Sequence, residues 1–301
     1  MDRSVLIKGL AVLNPEIVKL VESSNDKWAK RLSADSAEMF PIITARMPED
    51  YIWKFSSTNF LSEQISSAMK NSGPPDEINT IYWTDFRESM AAIREIFNRR
   101  FIPLFNSSID LINKLDILSS ACVARSAFEL SMWSLYHTSI IQNTIIELIE
   151  NPDAHGKIVS ASSLQELMVK LIWGTNMISD KEDERKQLNI IRKCFEPLAK
   201  HAKSKTGEEY IEATYDVLCD IVHPNQIGNF LFITESSKDS RGLQEIPVSM
   251  HQVGTTSMQS MSSICGALSW SCQAMTLMNA NIDRADREIK LRFNVVDQNL
   301  N

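Results

Sequence analysis

The chain has 301 residues, 44% of them hydrophobic, with 31 basic and 38 acidic side chains and a formal charge of −7. That length and apolar content supply a sizeable core for one large or two ordinary domains, and they argue against a disordered chain. The negative balance excludes attraction of the whole molecule to nucleic acid or an anionic membrane, leaving such contacts to local basic patches.

Cys122, Cys194, Cys219, Cys265 and Cys272 are odd in number and scattered, so they outline neither a disulfide framework nor a zinc site. This points to a reducing cytoplasm. Only 9 Gly and 10 Pro, among abundant Leu, Ile, Ala, Met and Glu, predict long helices and an all-α fold.

Residues 1–14 hold a short apolar stretch interrupted by Lys8, without a small-residue cleavage site, so no signal peptide is expected. Asn14-Pro15-Glu16 is a helix start, with Asn as cap and Pro in the first turn. It predicts a helix to about Leu32 that turns Ile17, Leu20, Val21 and Trp28 inward. From Ser33 to Tyr82 the pattern weakens at Pro41, Pro48 and Gly73-Pro74-Pro75, and only Thr58 to Lys70 reads as helical. Residues 1–82 are therefore read as an N-terminal helical extension and 83–283 as the main bundle.

Thr84-Asp85 is expected to cap a helix carrying Phe86, Met90, Ile93 and Phe97, which Pro103 kinks or divides. A helix from about Leu118 to Glu150 follows, then a loop at Asn151 to Gly156. Ser163 with Glu166, Ser179 with Glu182 and Thr206 with Glu209 are capping boxes. The last of these opens a helix through Tyr215 and Leu218 to Val222, stopped by Pro224. Asn229–Thr234 and Glu245–Ser249 read as extended, giving a small β-hairpin at about 229–249. Gly254, Met258, Met261, Cys265, Leu268, Cys272 and Met275 mark a final helix, central in the bundle. Gln259, Gln273 and several serines make it too polar to span lipid. In the tail, 284–301, alternation at Ile289, Leu291, Phe293 and Val295 predicts either a strand or a continued helix.

A Gly-rich phosphate loop, Gly-x-Ser-x-Gly, His-Glu-x-x-His and paired Cys-x-x-Cys are all absent, which removes the common nucleotide, hydrolase and zinc signatures. The anomaly is a pair of charges, Arg125 and Glu129, on a seam of Leu118, Cys122, Met132 and Tyr136 spaced four and three apart. Buried charges need partners, so the two are expected to pair with each other and with His223 at the end of another helix. Converging, the three would form an anion-binding or phosphoryl-transfer site, with Asp220 and Asn225 beside the ligand. The alternative is an ion-pair network that fixes helix register. For His223 alone, the competing readings are a His⁺ at a helix C-terminus and, with Cys219 one turn before it, a metal ligand. Neither a metal nor a cofactor is expected. Arg94, Arg99 and Arg100, interleaved with Phe97 and Phe101, form the local basic and aromatic cluster, read as either a phosphate contact or a solvated helix face. The stripe from Met258 to Met275 is read as core.

Arg125-Ser-Ala-Phe-Glu129 in one helix, with Tyr215 and then His223-Pro224-Asn225 closing another, resembles a group of uncharacterised prokaryotic helical proteins. Their pattern is Arg-Ser-x-Phe-Glu followed by a Tyr and a Ser-x-x-His-Pro-Ser/Asn, and here Asp220 stands in the place of that Ser. The group is distantly similar to HEPN bundles, which include ribonuclease toxins, abortive-infection proteins and non-catalytic scaffolds. The resemblance implies an up-and-down HEPN-like bundle, a homodimer or a complex with a partner protein, no membrane, and RNA or another phosphate compound as ligand. HEPN nucleases carry an Arg and a His four to six residues apart on one helix. This chain has no such pair before His223, so either the arginine comes from the other helix, as Arg125, or the chain is a non-nuclease relative.

Overall fold

The structure, a computed structural model, describes residues 11–22, 27–45, 47–48, 50–53, 58–71, 75–150, 163–165, 167–168, 171–172, 191–202, 205–223, 226–233, 237–238, 240–249 and 255–293. These residues are predominantly helical, and the fold is all-α. The helices are α1 (Pro15–Glu22), α2 (Trp28–Thr44), α3 (Thr58–Lys70), α4 (Pro75–Asn113), α5 (Ile117–Glu150), α6 (Glu196–Ala202), α7 (Lys205–Val222), α8 (Gln226–Phe230) and α9 (Thr255–Phe293). The loop expected at 151–156 and the capping box at Ser179 lie outside the described residues.

α9 is the axis of the molecule, packed along α5, α2, α4 and α7. Its residues from Ile264 to Cys272 are buried on every face, because Gly266, Ala267, Ser269 and Ser271 let the surrounding helices approach closely. Gly266 shows the constraint: a Cβ there would stand 3.3 Å from the Trp28 ring of α2. Beyond Asp283 the chain continues as helix to Phe293, whose ring stacks on Trp83 at 4.7 Å, so the alternating tail forms no strand up to that point.

Several helix boundaries differ from those read in the sequence. Asn14 does cap α1, its Oδ1 accepting from the Glu16 N–H at 3.0 Å, but α1 ends at Glu22 and a second helix carries Trp28 and Leu32. Pro41 and Pro103 lie inside α2 and α4 rather than ending them. Both prolines face solvent, where water can serve the carbonyl that each leaves without a helical donor. Thr84 is likewise no cap; it sits within α4 and donates to the Thr80 carbonyl at 2.6 Å. α4 therefore runs unbroken through residue 82.

The turn between α4 and α5 is tight. Leu115 adopts φ 61°, the Asp116 N–H returns to the Leu111 carbonyl, and Asp116 Oδ1 then caps α5 by accepting from Ser119 N–H at 3.2 Å. Just beyond the turn, Ser108 and Ser120 hydrogen-bond each other's hydroxyls at 2.9 Å in the dry interface. After α7, Asn229 and Phe230 are helical rather than extended. Among the described residues, strand pairing is confined to Ser237–Lys238 (β1) against Gln244–Glu245 (β2), antiparallel, with one bridge between Ile233 and Val248.

Candidate functional site

The sequence places Arg125 and Glu129 on adjacent turns of α5, near its start. The buried seam of that turn is Ala121, Ala124 and Phe128, offset by one residue or less from the seam expected. Small residues and Phe128 form the buried face of this turn, and the expected seam lies at the rim as far as Glu129, though Met132 beyond it is buried: Cys122 is exposed, and the side chains of Arg125 and Glu129 keep 24% and 38% of their surface. The pair is thus half-buried, open to a ligand, and not sealed in the core.

α7 brings the other half. Tyr215, Cys219 and His223 follow at intervals of four, so they share one face pointing at α5. Behind Tyr215, Phe128 stacks at 6.0 Å and Phe195 packs edge-on at 5.4 Å, which fixes the ring. His223 closes α7, and α8 folds back over that end through Gly228. A Cβ at Gly228 would come within 2.7 Å of the Ile221 carbonyl and 3.1 Å of the His223 carbonyl, so only glycine permits this approach.

The three expected residues converge. Arg125 Nε donates to Glu129 Oε1 at 2.9 Å, and Arg125 Nη1 lies 3.3 Å from His223 Nε2. Tyr215, not among the site residues expected from sequence, donates its hydroxyl to the same Glu129 oxygen at 3.0 Å, and the Arg125 guanidinium lies 5.7 Å from its ring centre. The helical spacing of Tyr215 from His223, two steps of four, was the signal that could have found it. Because a guanidinium only donates, the Arg125–His223 contact is a hydrogen bond in the His223 tautomer that leaves a lone pair on Nε2.

Electrostatics follow from half-burial. Removal from water disfavours the Arg125 charge, but the hydrogen bond and charge of Glu129 outweigh it and hold the Arg125 pKa above its ordinary value. Burial first, and then Glu129 and Cys219, drive the Tyr215 hydroxyl well above the usual tyrosine range, so it stays a donor. Burial also raises the Cys219 thiol, which is not an activated nucleophile.

The remaining candidates fare differently. Asp220 is half-buried on α7, three residues before His223, and Asn225 lies outside the described residues. The Arg94 to Arg100 cluster offers no base-stacking surface, since Phe97 and Phe101 are buried in the core. Arg99 is engaged by the Pro48 carbonyl at 2.6 Å and by Glu95 at 3.5 Å, while Arg100 is exposed. Among the described residues no group of three His, Cys, Asp or Glu side chains is placed to hold a metal ion, and no helix is long and apolar enough to cross a membrane. No protein-family model, curated protein or solved structure matches the chain.

Proposed function

We propose that this is an HEPN-like helical protein of prokaryotic stress or phage defence, whose Arg125, Glu129, Tyr215 and His223 bind, and through His223 cleave, RNA or a related phosphate compound. The observation that carries this reading is the 3.3 Å contact of Arg125 Nη1 with His223 Nε2 at an exposed edge. It puts a guanidinium beside an imidazole, the two groups that in-line attack by a ribose hydroxyl needs. His223 Nε2, freed as Arg125 turns to the ligand, takes the 2′-hydroxyl proton while the 2′-oxygen bonds to phosphorus; the P–O5′ bond breaks, leaving a 2′,3′-cyclic phosphate and a 5′-oxygen that takes its proton from solvent water. Arg125 turns its Nη edge to the phosphate oxygens while Glu129 holds its Nε, and Tyr215 fixes Glu129 in place. The resemblance adds the expectation that two copies, or one copy and a partner, assemble around such a bundle. His223→Ala is expected to abolish cleavage of a single-stranded RNA while leaving the melting temperature within a degree or two of the wild type; undiminished cleavage refutes the role.

A second reading is a non-enzymatic scaffold, favoured by a different observation. Leu243, Ile246 and Val248, within and beside the short β1–β2 pairing, are exposed by 58%, 52% and 74%. Such a surface suits a protein partner, and on this reading the Arg125 network only ties α5 to α7. Retention of partner binding together with absence of RNA binding would select it.

A further inference from the structure

A cleft of about 200 Å³ opens between α4 and α9, away from Arg125. Ser108 meets Ser120 and Phe97 meets Trp133 across α4 and α5, so Arg125 lies level with the part of α4 near Leu104. At the helical rise of 1.5 Å per residue, the cleft around Ala91 is about 20 Å along the bundle from it.

Three cations line the cleft: Arg87 and Arg94 from α4 and Lys290 from α9. The lining acids are Asp286 and Glu88, and Asp283, which pairs with Arg94, brings the charges into balance. Asp286 serves two of the cations at once, accepting from Arg87 Nε at 2.6 Å and standing 3.0 Å from Lys290 Nζ. Arg94 is aimed by Asp283 through Nη1 at 3.2 Å, and its Nε is buried without a hydrogen-bond acceptor. The guanidinium side chains are mostly desolvated, with 12% and 20% of their surface left, so an arriving anion meets charge that water screens poorly. Met90, Ala91 and Ile282 complete the lining with an apolar wall.

We propose that this cleft binds a small organic oxyanion, a carboxylate or phosphate head on an apolar body. Arg94 and Lys290 grip the head beside Arg87, and Met90, Ala91 and Ile282 cover the body. The Nε–Nη edge of Arg94 is the fork that receives two oxygens, which supplies its Nε with the acceptor it lacks. The volume admits an aromatic or short aliphatic acid and no nucleotide polymer. The inference is independent of the reading of the Arg125–His223 site.

Calorimetric titration of the full chain with phenyl phosphate, benzoate and inorganic phosphate tests it. At least one aromatic anion is expected to bind more tightly than inorganic phosphate, and which one identifies the head group. Arg94→Gln and Lys290→Gln should each weaken that binding about tenfold or more, the loss of one charge-assisted contact. The Lys290 side chain is 35% exposed, so that variant folds even if the Arg94 substitution proves disruptive. Arg125→Gln should leave the affinity unchanged, which separates the cleft from the other anion site. Affinity untouched by both cleft substitutions, tightest binding by inorganic phosphate, or no heat with any of the three at about 1 mM would each overturn the proposal.

Discussion

Glu129 holds the candidate site together through one oxygen, which accepts from Arg125 Nε and from Tyr215 Oη and so links two helices. Its side chain keeps 38% of its surface, so the coupling is that of a partly screened pair and not of a dry one. Glu129→Ala should therefore lower the unfolding free energy by about 1–2 kcal/mol, below the 3–5 kcal/mol expected for breaking a fully buried pair. Chemical denaturation decides; a loss above that range would mean the site is sealed. Tyrosines give a second test. Burial, and then Asp85, raise Tyr82 from 10.0 to about 12, and burial moves Tyr215 in the same direction. Between those values the unfolded chain releases the Tyr82 proton and the folded chain keeps it, so stability present below pH 10.0 is lost as pH rises toward 12. Tyr82→Phe should flatten that decline, and equal slopes in the two proteins would contradict the shift. At this scale the sequence was most legible: an Arg and a Glu one turn apart, and a His ending a second helix, do meet. Tyr215 was less so: its spacing from His223 puts it on the same face, but a tyrosine at an inward helical position looks the same whether its hydroxyl is idle or holds a carboxylate.

Helix ends were harder to read than helix interiors. Pro41 and Pro103 have the local chemistry of breakers, but a break is required only where the orphaned carbonyl cannot reach water, and both positions are on the outer face. Sequence shows the proline and not the face. The α5 seam poses the same problem: two faces of that helix both repeat at four and three, and the face with Ala and Ser lies deeper because small side chains admit α9. Between α4 and α9, Asn98 and Asn279 exchange reciprocal amide hydrogen bonds at 3.2 and 3.1 Å within the core, in line with the Arg94–Asp283 and Arg87–Asp286 pairs. This ladder sets the register of the two longest helices. Asn279→Leu strands the Asn98 amide and should cost about 1–3 kcal/mol, whereas Asn98→Leu with Asn279→Leu should cost less than the sum of the two single changes. Additive losses in a double-mutant cycle would show that the two amides are not coupled.

In the whole molecule, α9 is the central element, as its unbroken seam in the sequence foretold. The contribution of the N-terminal helices was less apparent. α2 packs directly on α9, with the Arg31 guanidinium 5.0 and 4.6 Å from the adjoining Trp28 and Trp270 ring centres, and Asp35 accepts from both Ser269 and Gln273. Its weak pattern in the sequence reflects this: polar side chains such as Asp35 serve the interface, so the apolar stripe is incomplete. A chain with 31 basic and 38 acidic residues reaches a phosphate ligand only through local sites, and Arg125 is the proposed cation of one. The most direct measurement is equilibrium binding of a labelled single-stranded RNA to the wild type, Arg125→Gln and Arg94→Gln. At least a tenfold loss is expected in Arg125→Gln, about 1.4 kcal/mol, and no change in Arg94→Gln. Equal RNA affinity in all three proteins, or no RNA binding by the wild type, would contradict the proposal.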